Sequence, residues 1–167
     1  MVNVVPARLT ALWRSIWSAP VLAFNGWVAF DLPRTVTALG GGLLVGLVAV
    51  HAYVFATLSP AAPWYFAVYA ALLVIGCLSA VTAMVFALKP RVPEAGWYVG
   101  SLLSLAFLTV YLISRRVTLP GLDAVTGRWD YAPGTFAFGF AAAFLAVHAT
   151  VLSGVNVAYP QRQQWYD

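Results

Sequence analysis

Residues 64 to 88 read WYFAVYAALLVIGCLSAVTAMVFAL, without one charged side chain. A helix needs about 20 predominantly apolar residues to cross the hydrocarbon of a bilayer. This stretch is therefore long enough by itself, and Pro63 before it and Lys89-Pro90-Arg91-Val92-Pro93 after it break the run. Working outward, a second span is expected over about 35 to 58, ended by Ser59-Pro60-Ala61-Ala62-Pro63. A third covers about 95 to 114 and stops at Arg115-Arg116. The fourth covers Gly134 to Val157 and leads to a polar tail, Tyr159 to Asp167. The loop before it holds Pro120-Gly121, Asp123, Arg128, Trp129, Asp130 and Pro133. The expected fold class is all-α, an integral membrane protein of about four transmembrane helices.

Composition supports the same reading. The chain has 167 residues, 62% hydrophobic and 8% charged, whereas a domain wetted on all sides carries roughly a quarter charged residues. The nine basic residues are scattered rather than massed, so there is no footprint for nucleic acid. Cys77 lies in an apolar run, excludes an intrachain disulfide and reads as a small buried hydrophobe. The N-terminus has Arg8 and Arg14 but no short apolar core with a cleavage site, so the first span is expected to stay in the mature protein.

Ahead of the first span, Arg8, Leu9, Leu12, Trp13, Ile16 and Trp17 are spaced as an interfacial amphipathic helix. Pro20, Asn25 and Gly26 interrupt it, and Pro33 is expected in the first turn of the next helix. Short loops rich in Lys and Arg stay on the cytoplasmic side. With the N-terminus inside, Arg8, Arg14, Arg34, Lys89, Arg91 and Arg162 are inside, against Arg115, Arg116 and Arg128 outside. Both termini are thus expected in the cytoplasm.

Chemistry within the spans rests on two histidines, His51 and His148. A neutral imidazole offers one lone pair to a metal while its other nitrogen donates to a carbonyl, and in a membrane such a metal is often held in a tetrapyrrole. The alternative is a histidine hydrogen-bonded between helices. The spans hold no nucleophile with an acid and a base, so no enzyme is expected. Asp31, Glu94, Asp123, Asp130 and Asp167 lie at borders or in loops, as solvated caps. No charged residue inside a span and no pair of broken helices points to transport. Trp97, Tyr98, Tyr111, Trp129, Tyr131, Tyr159, Trp165 and Tyr166 cluster near span ends as interfacial anchors.

Around His51 the sequence reads Trp27-Val28-Ala29-Phe30-Asp31-Leu32-Pro33-Arg34-Thr35, then Ala38-Leu39, Leu43 and the histidine, with Trp64 beyond. Over residues 13 to 64 this resembles the α polypeptide of the core light-harvesting complex of purple phototrophic bacteria. That family has Trp-x-x-Phe-Asp-x-x-Arg-Thr at the cytoplasmic surface, an Ala-Leu pair in the helix, a bacteriochlorophyll-ligating histidine and a tryptophan after it. The resemblance implies that His51 ligates the magnesium of bacteriochlorophyll a. It also implies carotenoid, an antenna β polypeptide and other antenna subunits as neighbours, and a photosynthetic reaction centre that receives the excitation. It places the chain in the photosynthetic intracytoplasmic (inner) membrane of a bacterium. Trp27 and Trp64 are the cofactor-side candidates carried over from the motif; the family's tryptophan stands closer to its histidine than Trp64 does to His51. His148 is a second ligand candidate, or a packing histidine.

Two segments follow: an antenna-α-like part over 1–64, and three further spans with the tail over 65–167, to which the resemblance does not extend. Gly40, Gly41, Gly42 and Gly46 leave a stretch without bulk, open to a pigment tail, a carotenoid or another helix. His51 is expected near the outer surface and His148 near or past mid-membrane, roughly 10 Å apart in depth at 1.5 Å per residue. A rival reading is a haem b anchor subunit of a respiratory complex, with both histidines on iron. Another is an accessory or assembly subunit without pigment.

Overall fold

The computed structural model describes residues 32–58, 63–86, 91–121 and 126–158. The interfacial segment expected over 8 to 17, the antenna-like residues Trp27, Phe30 and Asp31, and the C-terminal tail lie outside these. Among the described residues the chain forms four helices and no strands: α1 (Leu32–Leu58), α2 (Trp64–Val85), α3 (Arg91–Arg116) and α4 (Ala132–Leu152). All four are long and apolar enough to cross a membrane, and the protein is a multi-pass membrane protein.

Proline and glycine set the helix ends. Pro33 occupies the second position of α1 and Pro93 the third of α3, where the missing N–H has no intrahelical partner to lose. Pro93 was expected among the residues that separate the spans; instead α3 starts at Arg91 and absorbs it in its first turn, with Glu94 favourably placed at the positive end of the helix dipole. Helix α4 stops at Leu152 rather than running to Val157. Gly154 takes φ +74°, its N–H bonds Val151 O, and the N–H groups of Val155 and Asn156 both reach Thr150 O. That left-handed glycine closes the helix although the apolar run continues past it.

Each helix packs against its neighbours in sequence, and α1 closes on α4. The contacts fix an up-down-up-down order: Gly40 of α1 meets Met84 near the end of α2, and Thr37 Oγ1 donates to Ala158 O beyond the end of α4 at 3.4 Å. With lipid as solvent there is no hydrophobic force between helices, so close van der Waals packing has to hold them. Large rings accordingly sit on small residues. Trp97 fills the place of a side chain at Gly40, and Phe140 does so at Gly46. The glycine-rich stretch of α1 is in these two places a helix-packing surface; Gly42 alone faces open space.

Helix α3 shows the membrane pattern most plainly. Its buried stripe is Pro93, Gly96, Trp97, Gly100, Ser104, Phe107, Tyr111 and Arg115, the small, aromatic and polar residues. Its aliphatic residues Val99, Leu102, Leu105, Leu112 and Ile113 face outward.

Candidate functional site

His51 lies two turns before the end of α1 and is 7% exposed. Its Nδ1 is 2.9 Å from the carbonyl oxygen of Leu47, one turn back. A carbonyl can only accept, so Nδ1 carries the proton and the neutral ring keeps its lone pair on Nε2. No residue described here hydrogen-bonds Nε2. The ring is held edge-on between Phe107 of α3, centroids 5.2 Å apart, and Tyr69 of α2, 6.1 Å apart.

This histidine forms part of the wall of a cavity of about 390 Å³ at the end of the bundle where α1 and α3 finish and α2 and α4 begin. Tyr65, Tyr69, Phe107, Tyr111 and Tyr131 supply aromatic walls, and Arg115 sits among them. Val110 and Ile113 also border the cavity and are exposed on the outer surface of the bundle, so it opens sideways. Above it, Tyr65 Oη donates to Pro120 O at 2.5 Å and Gly127 N–H to Arg115 O at 3.1 Å, tying the connecting loop down. The volume falls toward the lower end of pockets that hold small molecules and cofactors, about 300–1,000 Å³.

His148 occupies a different level. It is 1% exposed, packed against Trp97, Tyr98 and Phe144 with ring centroids 5.4, 5.2 and 6.4 Å away. Its Nδ1 is 2.5 Å from Ser101 Oγ. Its Nε2 is buried without a partner, as are Trp97 Nε1 and Ser104 Oγ. A metal macrocycle cannot approach an enclosed Nε2 unless the surrounding rings repack. The two histidines share no ring neighbour. Measured along α3, their partners Phe107 and Trp97 to Ser101 are six to ten residues apart, about 9–15 Å at 1.5 Å per residue. That agrees with the depth difference expected from the sequence.

Trp64 is 78% exposed at the start of α2 and contacts Tyr65 edge-on at 6.4 Å, outside the cavity, whereas the next two residues, Tyr65 and Phe66, line it. Trp27 lies outside the described residues. The structure thus gathers His51 with Tyr69, Phe107, Tyr111, Tyr131 and Arg115, and leaves His148 and Trp64 elsewhere. Sequence reading had taken Tyr111 and Tyr131 for interfacial anchors and Arg115 for a border charge. The signal that finds Tyr111 and Arg115 is spacing, since Phe107, Tyr111 and Arg115 recur every four residues on one face of α3; Tyr131, at the N-cap of α4, carries no such signal.

No group of three or more His, Cys, Asp or Glu that could hold a metal ion exists among the described residues. A bare ion at His51 would have one protein ligand. With its proton on Nδ1, the His51 imidazole has Nε2 as the one ring nitrogen that could act as a ligand. No protein-family model matches the chain, and none of the curated proteins or solved structures matches it.

Proposed function

We propose that this chain is a bacteriochlorophyll-binding antenna subunit of a bacterial photosynthetic membrane, passing excitation toward a reaction centre. The observation that carries this reading is His51: its proton is fixed on Nδ1 by Leu47 O, which leaves the lone pair on Nε2, and the residue is one of those lining an aromatic cavity. It stands on the helix whose sequence resembles the antenna α polypeptide. The bound pigment would supply light absorption and excited-state transfer. The chain would hold the pigment's magnesium through His51, exclude water with Phe107, Tyr69 and Tyr111, and tune the ring by packing.

Besides the more distant Trp64 and the three additional spans, the reading differs from the family in what surrounds the histidine. The walls around His51 come from this chain's own α2, α3 and α4, in the place where an antenna helix would meet a β partner. A β polypeptide, other antenna subunits, carotenoid and the reaction centre would then sit against the lipid-facing surface. An occupant larger than the cavity extends past Val110 and Ile113 toward the membrane.

A haem shared by His51 and His148 does not fit. Both nitrogens would have to lie within about 4 Å of each other, twice a typical ~2 Å metal–nitrogen bond, and the bundle holds their neighbours several turns apart.

The test is an absorption spectrum of the gently solubilised full-length protein beside that of His51→Leu. A near-infrared band that weakens or shifts in the variant supports the antenna reading and assigns the ligand. A Soret and α-band pair responsive to dithionite, without a near-infrared band, sinks it in favour of a cytochrome. A colourless native protein returns it to the class of accessory subunits.

A further inference from the structure

The cavity beside His51 has walls that are almost entirely carbon, with Val50, Val54, Phe66, Phe107, Val110 and Ala137 among them. Its volume of about 390 Å³ is many times the roughly 10–15 Å³ that one water needs, but each water also needs two to four polar partners. These walls do not supply them. Left empty, the space would forfeit the dispersion contacts of every side chain around it. Hydrocarbon is the filling that suits it.

Toward the connecting loop the cavity is closed, because Leu119 lines it and the Tyr65 hydroxyl donates to the Pro120 carbonyl. Its open side is at Val110 and Ile113, exposed on the outer surface of α3. The material outside that opening is bilayer, so the hydrocarbon within reach is an acyl chain. Arg116 follows Ile113 by three residues, the spacing of neighbours on one helix face. It is exposed, about 4.5 Å of rise beyond Ile113 toward the end of the helix. An apolar mouth with a guanidinium one turn above it matches a molecule that carries a phosphate just above its acyl chains.

We propose that the cavity is a binding site for one acyl chain of a glycerophospholipid, which enters at Val110 and Ile113 while its phosphate pairs with the Arg116 guanidinium. This goes beyond the antenna reading and does not rest on it, since the lipid fills the pigment-free chain. A pigment ligated by His51 has to displace the acyl chain, so the two are alternative occupants.

The experiment uses the full-length chain, produced in a host that makes no bacteriochlorophyll and reconstituted in phosphatidylglycerol vesicles. A trace of the lipid carries a diazirine on one acyl chain, and after illumination the crosslinked residues are mapped by mass spectrometry. Label is expected on Phe107 and Ala137, which line the cavity and are 5% and 2% exposed, as well as on the outward-facing Leu102 and Leu105. Arg116→Gln should lower the label on the two interior residues several-fold and leave that on Leu102 unchanged. Ala137→Leu, which narrows the cavity, should do the same; Arg116 is on the surface, so its variant remains readable if Ala137→Leu does not accumulate. Label confined to Leu102 and Leu105 means surrounding lipid only and overturns the proposal. Interior label that Arg116→Gln does not lower removes the phosphate contact, and with it the phospholipid as the selected occupant. A His51-dependent near-infrared band in pigment-loaded protein, with no interior label in the pigment-free chain, ends this proposal and keeps the antenna reading.

Discussion

A Cβ placed on Gly40 would lie 2.5 Å from Cη2 of Trp97, whereas one on Gly42 would meet nothing within 4 Å. Trp97 is fully buried and stacked on Phe144 at 5.2 Å, so it has nowhere to retreat. Gly40→Val should therefore destabilise the bundle by about 1–3 kcal/mol, the cost of overpacking. Gly42→Val should stay within about 0.5 kcal/mol, as exposed substitutions do. Unfolding midpoints in a mild detergent distinguish them, and equal effects would mean that Trp97 does not occupy this place. The sequence shows three glycines in a row but not which of them a ring will cover, because that depends on the rotation of α1 against α3. His51 was legible for the opposite reason: a rare polar residue in an apolar span stands out wherever it points. Its tautomer needed the structure, since any helical histidine has a carbonyl four residues back and only geometry shows whether the ring turns to it.

At the scale of elements, α3 wears its aliphatic residues outside. Leu102, 68% exposed near the middle of α3, faces what the composition says is hydrocarbon. Leu102→Lys should make insertion of this helix less favourable by about 3–4 kcal/mol, the difference between the two residues at a helix centre. A glycosylation-mapped insertion assay reads that directly, and a negligible effect would mean that Leu102 is not lipid-facing. The spans themselves were read from apolar length, which placed the start of α2 well. The end of α4 was missed because Val155 and Val157 prolong the apolar run. The residue that ends the helix is Gly154, whose φ of +74° is strained for any L side chain. Gly154→Ala should cost about 1 kcal/mol, seen as a lower unfolding midpoint; an unchanged midpoint would argue for a helix that continues.

For the whole molecule, burial changes how charges count toward orientation. Arg115 is folded into the cavity wall, so the expected outer side presents Arg116 and Arg128 at its surface. The proposed topology predicts that Thr118→Cys, in the α3–α4 connection, reacts with an impermeant maleimide added to intact cells, and that Ser153→Cys does not until the membrane is opened. Cys77 is buried and gives little background. The reverse pattern would turn the molecule over. The order of the helices was legible from short connections, which force antiparallel neighbours; the cavity was not, because its walls come from residues far apart in sequence that meet only when α1 closes on α4. Its sideways opening at Val110 and Ile113 carries a thermodynamic consequence. The reservoir with which the site equilibrates is the bilayer, so occupancy follows the mole fraction of ligand among the lipids rather than its concentration in water. A sparingly soluble compound arrives by two-dimensional diffusion and leaves the same way, and the helices need not part to admit it.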